Sequence, residues 1–311
     1  MKANLFIVGS AKSGTTSLFY ELMASQEIRV PDHKEQNFFS KGCANVPGNG
    51  PGDKLATYVA ASLEAYESSF TESGSDDQSK QAHYYCDASV AYLYDDQAPA
   101  LIHAYNPDAR IIIMLRNPVD RAWSHYRHLK RDCREKETFD HALDKELQRM
   151  QDGWEFSWHY VQMGMYSQQV QRYLQIFGHQ QVKVVFLDDY RVDSLKVVQD
   201  VLRFLELDIT LPKREKSQHH NASGEARWPL VSYIFNRPSR LRNFVRDILP
   251  RPFAHAVMER IRSFNNKPVK PKMMPETRSR LIEIFKEDIQ QLGKMLQRDL
   301  SHWIQDDHSQ R

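Results

Sequence analysis

No stretch of this sequence approaches the roughly 20 consecutive apolar residues that a membrane-crossing helix requires. The N-terminus also lacks a charged-then-apolar segment of the secretory kind, so a soluble cytoplasmic protein is expected. Cysteine is scarce. Cys43, Cys86 and Cys133 are odd in number, widely spaced and without a CxxC pair, which argues against a disulfide framework and against a zinc site; they read as reduced thiols. No internal repeat is visible. Neither the aromatic ribonucleoprotein motif nor zinc-finger spacing is present, and no nucleic-acid partner is expected.

A large net charge is absent too, because the whole chain carries only +2, yet the charge is unevenly spread. From Pro212 to Lys272 fourteen Lys and Arg stand against four acids, an excess of +10. Such a stretch faces a polyanion, a membrane surface or an anionic cofactor, or else forms a solvated basic face. What is present is enough apolar material for a core: 41% hydrophobic residues over 311 positions, consistent with one large α/β domain or two small ones. A single domain over residues 1–311 is expected.

Apolar runs alternate with helical patterns. "NLFIVG" stops at Gly9, and "TTSLFYELMASQ" follows with Leu18, Phe19, Leu22 and Met23 at helical spacing. "ARIIIMLRNP" ends at Pro118, and "DRAWSHYRHLKR" reads as a helix capped by Asp120. "VKVVFLDDY", from Val182, precedes the amphipathic "DSLKVVQDVLRFLEL". The fold class expected is α/β, a P-loop-like central parallel sheet with helices on both faces. Residues from Gly42 to about Gln81, with "NVPGNGPGD" and "SGSDDQSK" around a helical segment near Lys54 to Ser69, read as a mobile excursion. A long closing helix starts at Pro275 and places Leu281, Ile284, Phe285 and Ile289 on one face.

Strand, then Gly9 to Thr16, then helix is the layout in which backbone N–H groups and a helix N-terminus cradle an anion. In the Walker A form a lysine stands next to the final Ser or Thr and reaches the β- and γ-phosphates. Thr15 stands there instead, and Lys12 lies three positions earlier. On its own the loop leaves open a triphosphate, another anion, or none.

The second strand narrows the choice. "RNPVDRAWSHYRH" places Arg116 at the strand's carboxyl end, the edge where open α/β sheets bind ligands, with Ser124 and His128 one turn apart on the next helix. A guanidinium and a hydroxyl suit a terminal phosphate, although Arg116 alone also fits a structural ion pair and His128 a surface position.

Taken together, "GSAKSGTTSL" and "RNPVDRAWSHYRH" resemble the paired motifs of sulfotransferases that use 3'-phosphoadenosine 5'-phosphosulfate (PAPS). The likeness is to the branch of heparan sulfate and other Golgi carbohydrate sulfotransferases and their bacterial relatives. It extends through "PDHKEQNFF", "CDASVAYLY", "GMYSQQVQRYLQIFG" and "LQRDLSHW", so it covers nearly the whole chain. The resemblance implies the sulfotransferase fold, PAPS as donor, adenosine 3',5'-bisphosphate as product, and no metal. It assigns the 5'-phosphate to Ser13, Gly14, Thr15, Thr16 and Ser17, and the 3'-phosphate to Arg116 and Ser124. Lys12 then lies against the bridging oxygen where charge grows as the S–O bond breaks.

The same resemblance makes Glu35 the general base and His128 its helper or a stabiliser of the sulfuryl group. Against Phe38 and Phe39 the Glu35 carboxylate is expected to be partly desolvated, which raises the pKa of a base. Asn221, Ser223 and Arg227 are candidates to close over the adenosine. Lys34, Asp87, Trp158 and Tyr166 are candidates to face a carbohydrate or small-molecule acceptor. One departure stands out: Ala88 occupies the place of a lysine in the heparan enzymes. The alternatives are a nucleotide or small-molecule kinase, disfavoured by the missing Walker lysine, and a PAPS-binding protein without turnover.

Overall fold

Five parallel strands carry the fold. The computed structural model describes residues 1–31, 33–70, 82–209, 225–226, 266–267 and 271–305. The strands are β1 (Leu5–Gly9), β2 (Ile28–Arg29), β3 (Tyr84–Asp87), β4 (Arg110–Leu115) and β5 (Val182–Phe186), in the spatial order β2-β3-β1-β4-β5. Every neighbouring pair is parallel, with Phe6 opposite Asp87 on one side and Ile111 on the other. Between β1 and β3 lie α1 (Thr15–Leu22), α2 (Lys41–Ala44), α3 (Leu55–Tyr58) and α4 (Leu63–Ser68). Next come α5 (Ala98–Tyr105), α6 (Pro118–Arg131), α7 (Phe139–Asp144), α8 (Glu146–Gln151) and α9 (Tyr166–Gln181). After β5 follow α10 (Leu187–Val192), α11 (Ser194–Phe204) and the closing helix (Pro275–Leu296). Residues Glu225–Ala226 pair antiparallel with Asn266–Lys267.

The period of two along a strand sorts side chains into two cores. Phe6, Val8, Ile111, Ile113 and Leu115 face one way and pack with Ile102 of α5, Val170 and Tyr173 of α9, and Leu281, Phe285 and Ile289 of the closing helix. Leu5, Ile7, Ile112 and Met114 face the other way, against Leu18 and Leu22 of α1 and Val198, Val201 and Leu202 of α11. Each fully buried side chain of this kind contributes about 1.5–3 kcal/mol, several times an exposed ion pair, so these layers place the sheet edge.

Two helix boundaries and one buried face differ from expectation. The cap of α6 is Asn117, whose Oδ1 accepts from Val119 N at 3.0 Å; proline suits the first helical position, so the helix begins at Pro118, before Asp120. Ile284 is 36% exposed, at the rim of a stripe formed by Leu281, Phe285, Ile289 and Leu292. The helix expected over Lys54 to Ser69 is two short ones, because Ser62 caps a fresh start by accepting from Ala65 N at 3.1 Å.

Residues 42–70 of the expected excursion are packed onto the domain, and residues 71–81 lie outside the described residues. Asp53 is the anchor. Its fully buried carboxylate accepts from Arg134 Nη2 (2.6 Å), Trp158 Nε1 (2.8 Å) and the amides of Gly50 and Glu155 (2.9 Å each). Asp53→Ala leaves a guanidinium and an indole N–H without their acceptor. It is expected to cost about 3 kcal/mol, read as a lower urea midpoint at unchanged slope.

Candidate active site

Parallel strands put their carboxyl ends on one edge, and the chain here passes from β1 to β3 on one side before crossing to β4 on the other. That reversal opens a crevice beside β1. Three segments meet there: the loop after β1, Arg116 after β4, and residues 33–39, which rest on the segment after β3.

The loop is tied down by its backbone. Ser10 N donates to Met114 O at 2.7 Å, and Ser13 N to Ser10 O at 3.3 Å. This tight turn points the Ser13 hydroxyl inward, 2.5 Å from Ser10 Oγ and fully buried, so both its hydroxyl and its amide are spent within the loop. Gly14 has φ 92°, and a β-carbon there would sit 2.9 Å from Leu187 Cδ1, so glycine is required on two counts. The amides of Gly14, Thr15 and Thr16 find no acceptor among the described residues, which leaves three donors at the start of α1. Thr15 is buried and Ser17 half-buried, while Thr16 Oγ1 accepts from Lys34 Nζ at 2.9 Å.

Positive charge gathers around those donors. Lys12, at φ 68°, has its pKa pulled down to about 8, first by burial and then by Arg131 and Arg116, with Asp132 and Glu35 opposing. Arg116 donates through Nη1 to Lys12 O at 3.2 Å, and its buried Nε has no acceptor. Tyr166 is fully buried beneath, where its hydroxyl donates to Arg116 O (3.1 Å) and lies 3.4 Å from Ser10 Oγ. Its place is therefore under the loop.

Helix α6 contributes a second wall. Ser124 is half-buried, and His128 and Arg131 follow it at i+4 and i+7 on the same face. Arg131 Nη2 lies 2.6 Å from His128 Nδ1, and Arg131 Nε donates to Asp132 Oδ1 at 3.0 Å. A guanidinium cannot accept, so Nδ1 is the acceptor and the neutral ring carries its proton on Nε2. Burial, and then Lys12, push the His128 pKa down to about 3. His128 is thus a neutral N–H donor at working pH. Sequence reading passed over Arg131 and Asp132, although the spacing from Ser124 was the signal that finds them.

Glu35 lies on the opposite wall. Its side chain is 44% exposed, with Lys34 Nζ 3.8 Å from Oε1, and its backbone is left-handed at φ 67°. The expected desolvation by Phe38 and Phe39 is absent, because Phe39 turns inward against Phe6, Tyr66 and Tyr92 while Phe38 stacks on Tyr66. Lys34 sits at the cleft, its pKa lowered chiefly by burial. Asp87 does not. It is fully buried and accepts hydroxyls from Ser89 (2.6 Å), Tyr92 (2.7 Å) and Tyr66 (2.9 Å); burial raises its pKa while these bonds lower it. Trp158 is buried on Asp53, and Ala88 is buried as well. Asn221, Ser223 and Arg227 lie outside the described residues, as does most of the basic stretch from Pro212. Among the described residues no group of three or more His, Cys, Asp or Glu forms a metal-binding cluster.

Residues 2–293 match the family model described as the sulfotransferase domain. The chain belongs to the sulfotransferase family. This sulfotransferase is similar to human carbohydrate sulfotransferase 15, with 22% identity over 298 residues that cover 80% of this chain and 52% of that protein. It is also similar to the Xenopus tropicalis bifunctional heparan sulfate N-deacetylase/N-sulfotransferase 1, at 24% identity over 65% of this chain and 22% of that one. The chain therefore spans about half the length of the first relative and under a quarter of the second. A solved sulfotransferase from Alicyclobacillus acidocaldarius superposes with a TM-score of 0.74 at 31% identity, covering 98% of this chain and 100% of that one.

The histidine tautomer of this sulfotransferase is directly observable. In spectra of 15N-labelled histidine, His128 is expected as the Nε2–H tautomer, neutral from pH 8 to pH 5. A midpoint near the ordinary 6.5 would contradict the burial argument.

Proposed function

We propose that this sulfotransferase uses PAPS and delivers the sulfuryl group to a hydroxyl, rather than an amine, of a carbohydrate or small-molecule acceptor. One observation carries the donor assignment. Lys12, Arg116 and Arg131 converge on a loop with three unpaired amides, and Arg116 Nε is buried without an acceptor. Such a cluster fits a small, multiply charged anion. When bound, PAPS supplies a sulfuryl group on a phosphate–sulfate anhydride.

The chain's own groups divide the work. The amides of Gly14, Thr15 and Thr16, with the Thr16 and Ser17 hydroxyls, hold the 5'-phosphate; Arg116 and Ser124 hold the 3'-phosphate. Lys12 counters the charge that develops on the bridging oxygen, and the His128 Nε2–H donates to the sulfuryl oxygens. The Glu35 carboxylate takes the proton from the acceptor hydroxyl. A carbohydrate acceptor is supported by the names of the two relatives, both of which describe carbohydrate sulfation.

Adenosine 3',5'-bisphosphate is expected to raise the melting temperature without magnesium, and ATP much less; a preference for Mg-ATP would overturn the donor assignment. The bound phosphates favour charged Lys12, whose pKa in the free protein is about 8. Affinity for the bisphosphate should therefore fall as pH rises above 8, by up to about tenfold per unit. Lys12→Arg should lose that step, because a guanidinium stays charged. Calorimetry at pH 7 and 9.5 reads both. Glu35→Gln is expected to lower turnover about 100-fold or more while bisphosphate affinity holds. Transfer of radiolabelled sulfate from PAPS to acceptor pools measures it, and near-normal turnover would remove Glu35 from the base role.

A further inference from the structure

Asp87 touches nothing in the cleft, yet its bonds lead to Glu35. Ser89 gives its single hydroxyl proton to Asp87 Oδ1 at 2.6 Å and accepts the amide of Asn37 at 3.0 Å. Tyr92 gives its proton to Asp87 Oδ2 at 2.7 Å and accepts the amide of Phe39 at 3.4 Å. Asn37 Nδ2 in turn donates to Glu35 O at 2.8 Å. Glu35 and Asn37 both hold left-handed backbone, at φ 67° and 52°, which non-glycine residues adopt only when their surroundings impose it.

We propose that Asp87 is a positioning residue for Glu35, acting through the Ser89 and Tyr92 hydroxyls on the backbone of residues 35–39. The inference rests on the reading of Glu35 as the base. The physical step is one of polarity. A hydroxyl has one proton, and once that proton is committed to the carboxylate, its lone pairs are what it presents to the loop. Two loop amides are thereby matched with acceptors. Without the carboxylate either hydroxyl can turn its proton toward the amide, donor against donor, at a fully buried position. Tyr66 supplies the third hydroxyl to Asp87, at 2.9 Å, and bonds to no amide of the 35–39 segment among the described residues. Its ring packs on Phe38 and Phe39, a contact that Tyr66→Phe keeps, so loss of its hydroxyl alone is the built-in control: that hydroxyl shares the buried network and accepts from no amide of the segment among the described residues.

The test uses the full chain, the acceptor fraction that takes label from PAPS, and hydrogen exchange at single amides. Asp87→Asn and the milder Ser89→Ala and Tyr92→Phe should lower kcat about 10- to 100-fold, with the Kd for adenosine 3',5'-bisphosphate within about twofold of the parent. Tyr66→Phe should lower the melting temperature and leave kcat within about twofold. Exchange at the Asn37 amide should speed up in Asp87→Asn and Ser89→Ala, and at Phe39 in Tyr92→Phe. In a Glu35→Gln background, Asp87→Asn should add no further loss, since both act at one point. Normal turnover in Glu35→Gln alone would strike the base reading. Unchanged exchange at Asn37 in Asp87→Asn would overturn the positioning role, as would losses that multiply in the double variant, or an equal kcat loss in Tyr66→Phe.

Discussion

Like charges held close together at the edge of a dry core are the constraint around which this molecule is organised. Lys12 feels Arg131 and Arg116 more than it feels any partner of opposite sign except Asp132, and burial deprives Lys12 and Arg116 of part of their hydration. Such an arrangement is unfavourable by itself and persists because the two apolar layers fix the strand ends beneath it. Several non-glycine residues with left-handed backbone surround the same spot: Lys12 in the loop, Glu35 and Asn37 opposite, and Cys133 just past the end of α6. Strain and charge concentrate at the place proposed to hold the donor's phosphates.

Distant parts of the chain brace that edge. Asn117 caps α6 with one side-chain atom and donates with the other to Trp303 O at 3.2 Å, while Trp303 Nε1 donates to Asp188 Oδ2 at 2.8 Å. The segment after the closing helix thus ties the turn after β4 to the start of α10. Asp288 of the closing helix accepts the amide of Tyr166 at 2.7 Å, which sets the ring whose hydroxyl meets Arg116 O. Arg116 is held from below by a residue far along the chain. Aromatics that a sequence presents as surface candidates are, in this fold, supports.

This explains what was legible and what was not. The long apolar strands β1, β4 and β5, and the loop and helix after each of the first two, follow from local pattern, because burial on both faces demands continuous apolar runs. β3 has four residues, Tyr84 to Asp87, each with a polar group on its side chain, and only its neighbours β1 and β2 make it a strand. That Lys12, Arg116 and His128 gather at one edge of the sheet follows from where they stand after β1 and β4. Trp158, Tyr166 and Asp87, candidates to face an acceptor, are buried on protein partners, and a polar tip looks the same in sequence whether it meets a ligand or a buried partner. Asp53 stood hidden in a Gly- and Pro-rich stretch that looks like a free loop. Its meaning comes from Arg134 and Trp158, which lie 81 and 105 positions away.

The two carboxylates near the cleft show how environment divides roles. Asp87 is enclosed and surrounded by three hydroxyl donors, so its lone pairs are committed and it can only orient. Glu35 is nearly half exposed, with the Lys34 ammonium 3.8 Å away and Lys12 within electrostatic reach, so its lone pairs remain available. An exposed carboxylate is a poor base while water solvates it. In the proposed reaction the acceptor itself must supply the missing desolvation by covering Glu35 as it binds. Proton removal then becomes efficient only with an acceptor large enough to displace that water, which disfavours transfer to water and makes the shape of the acceptor part of the chemistry.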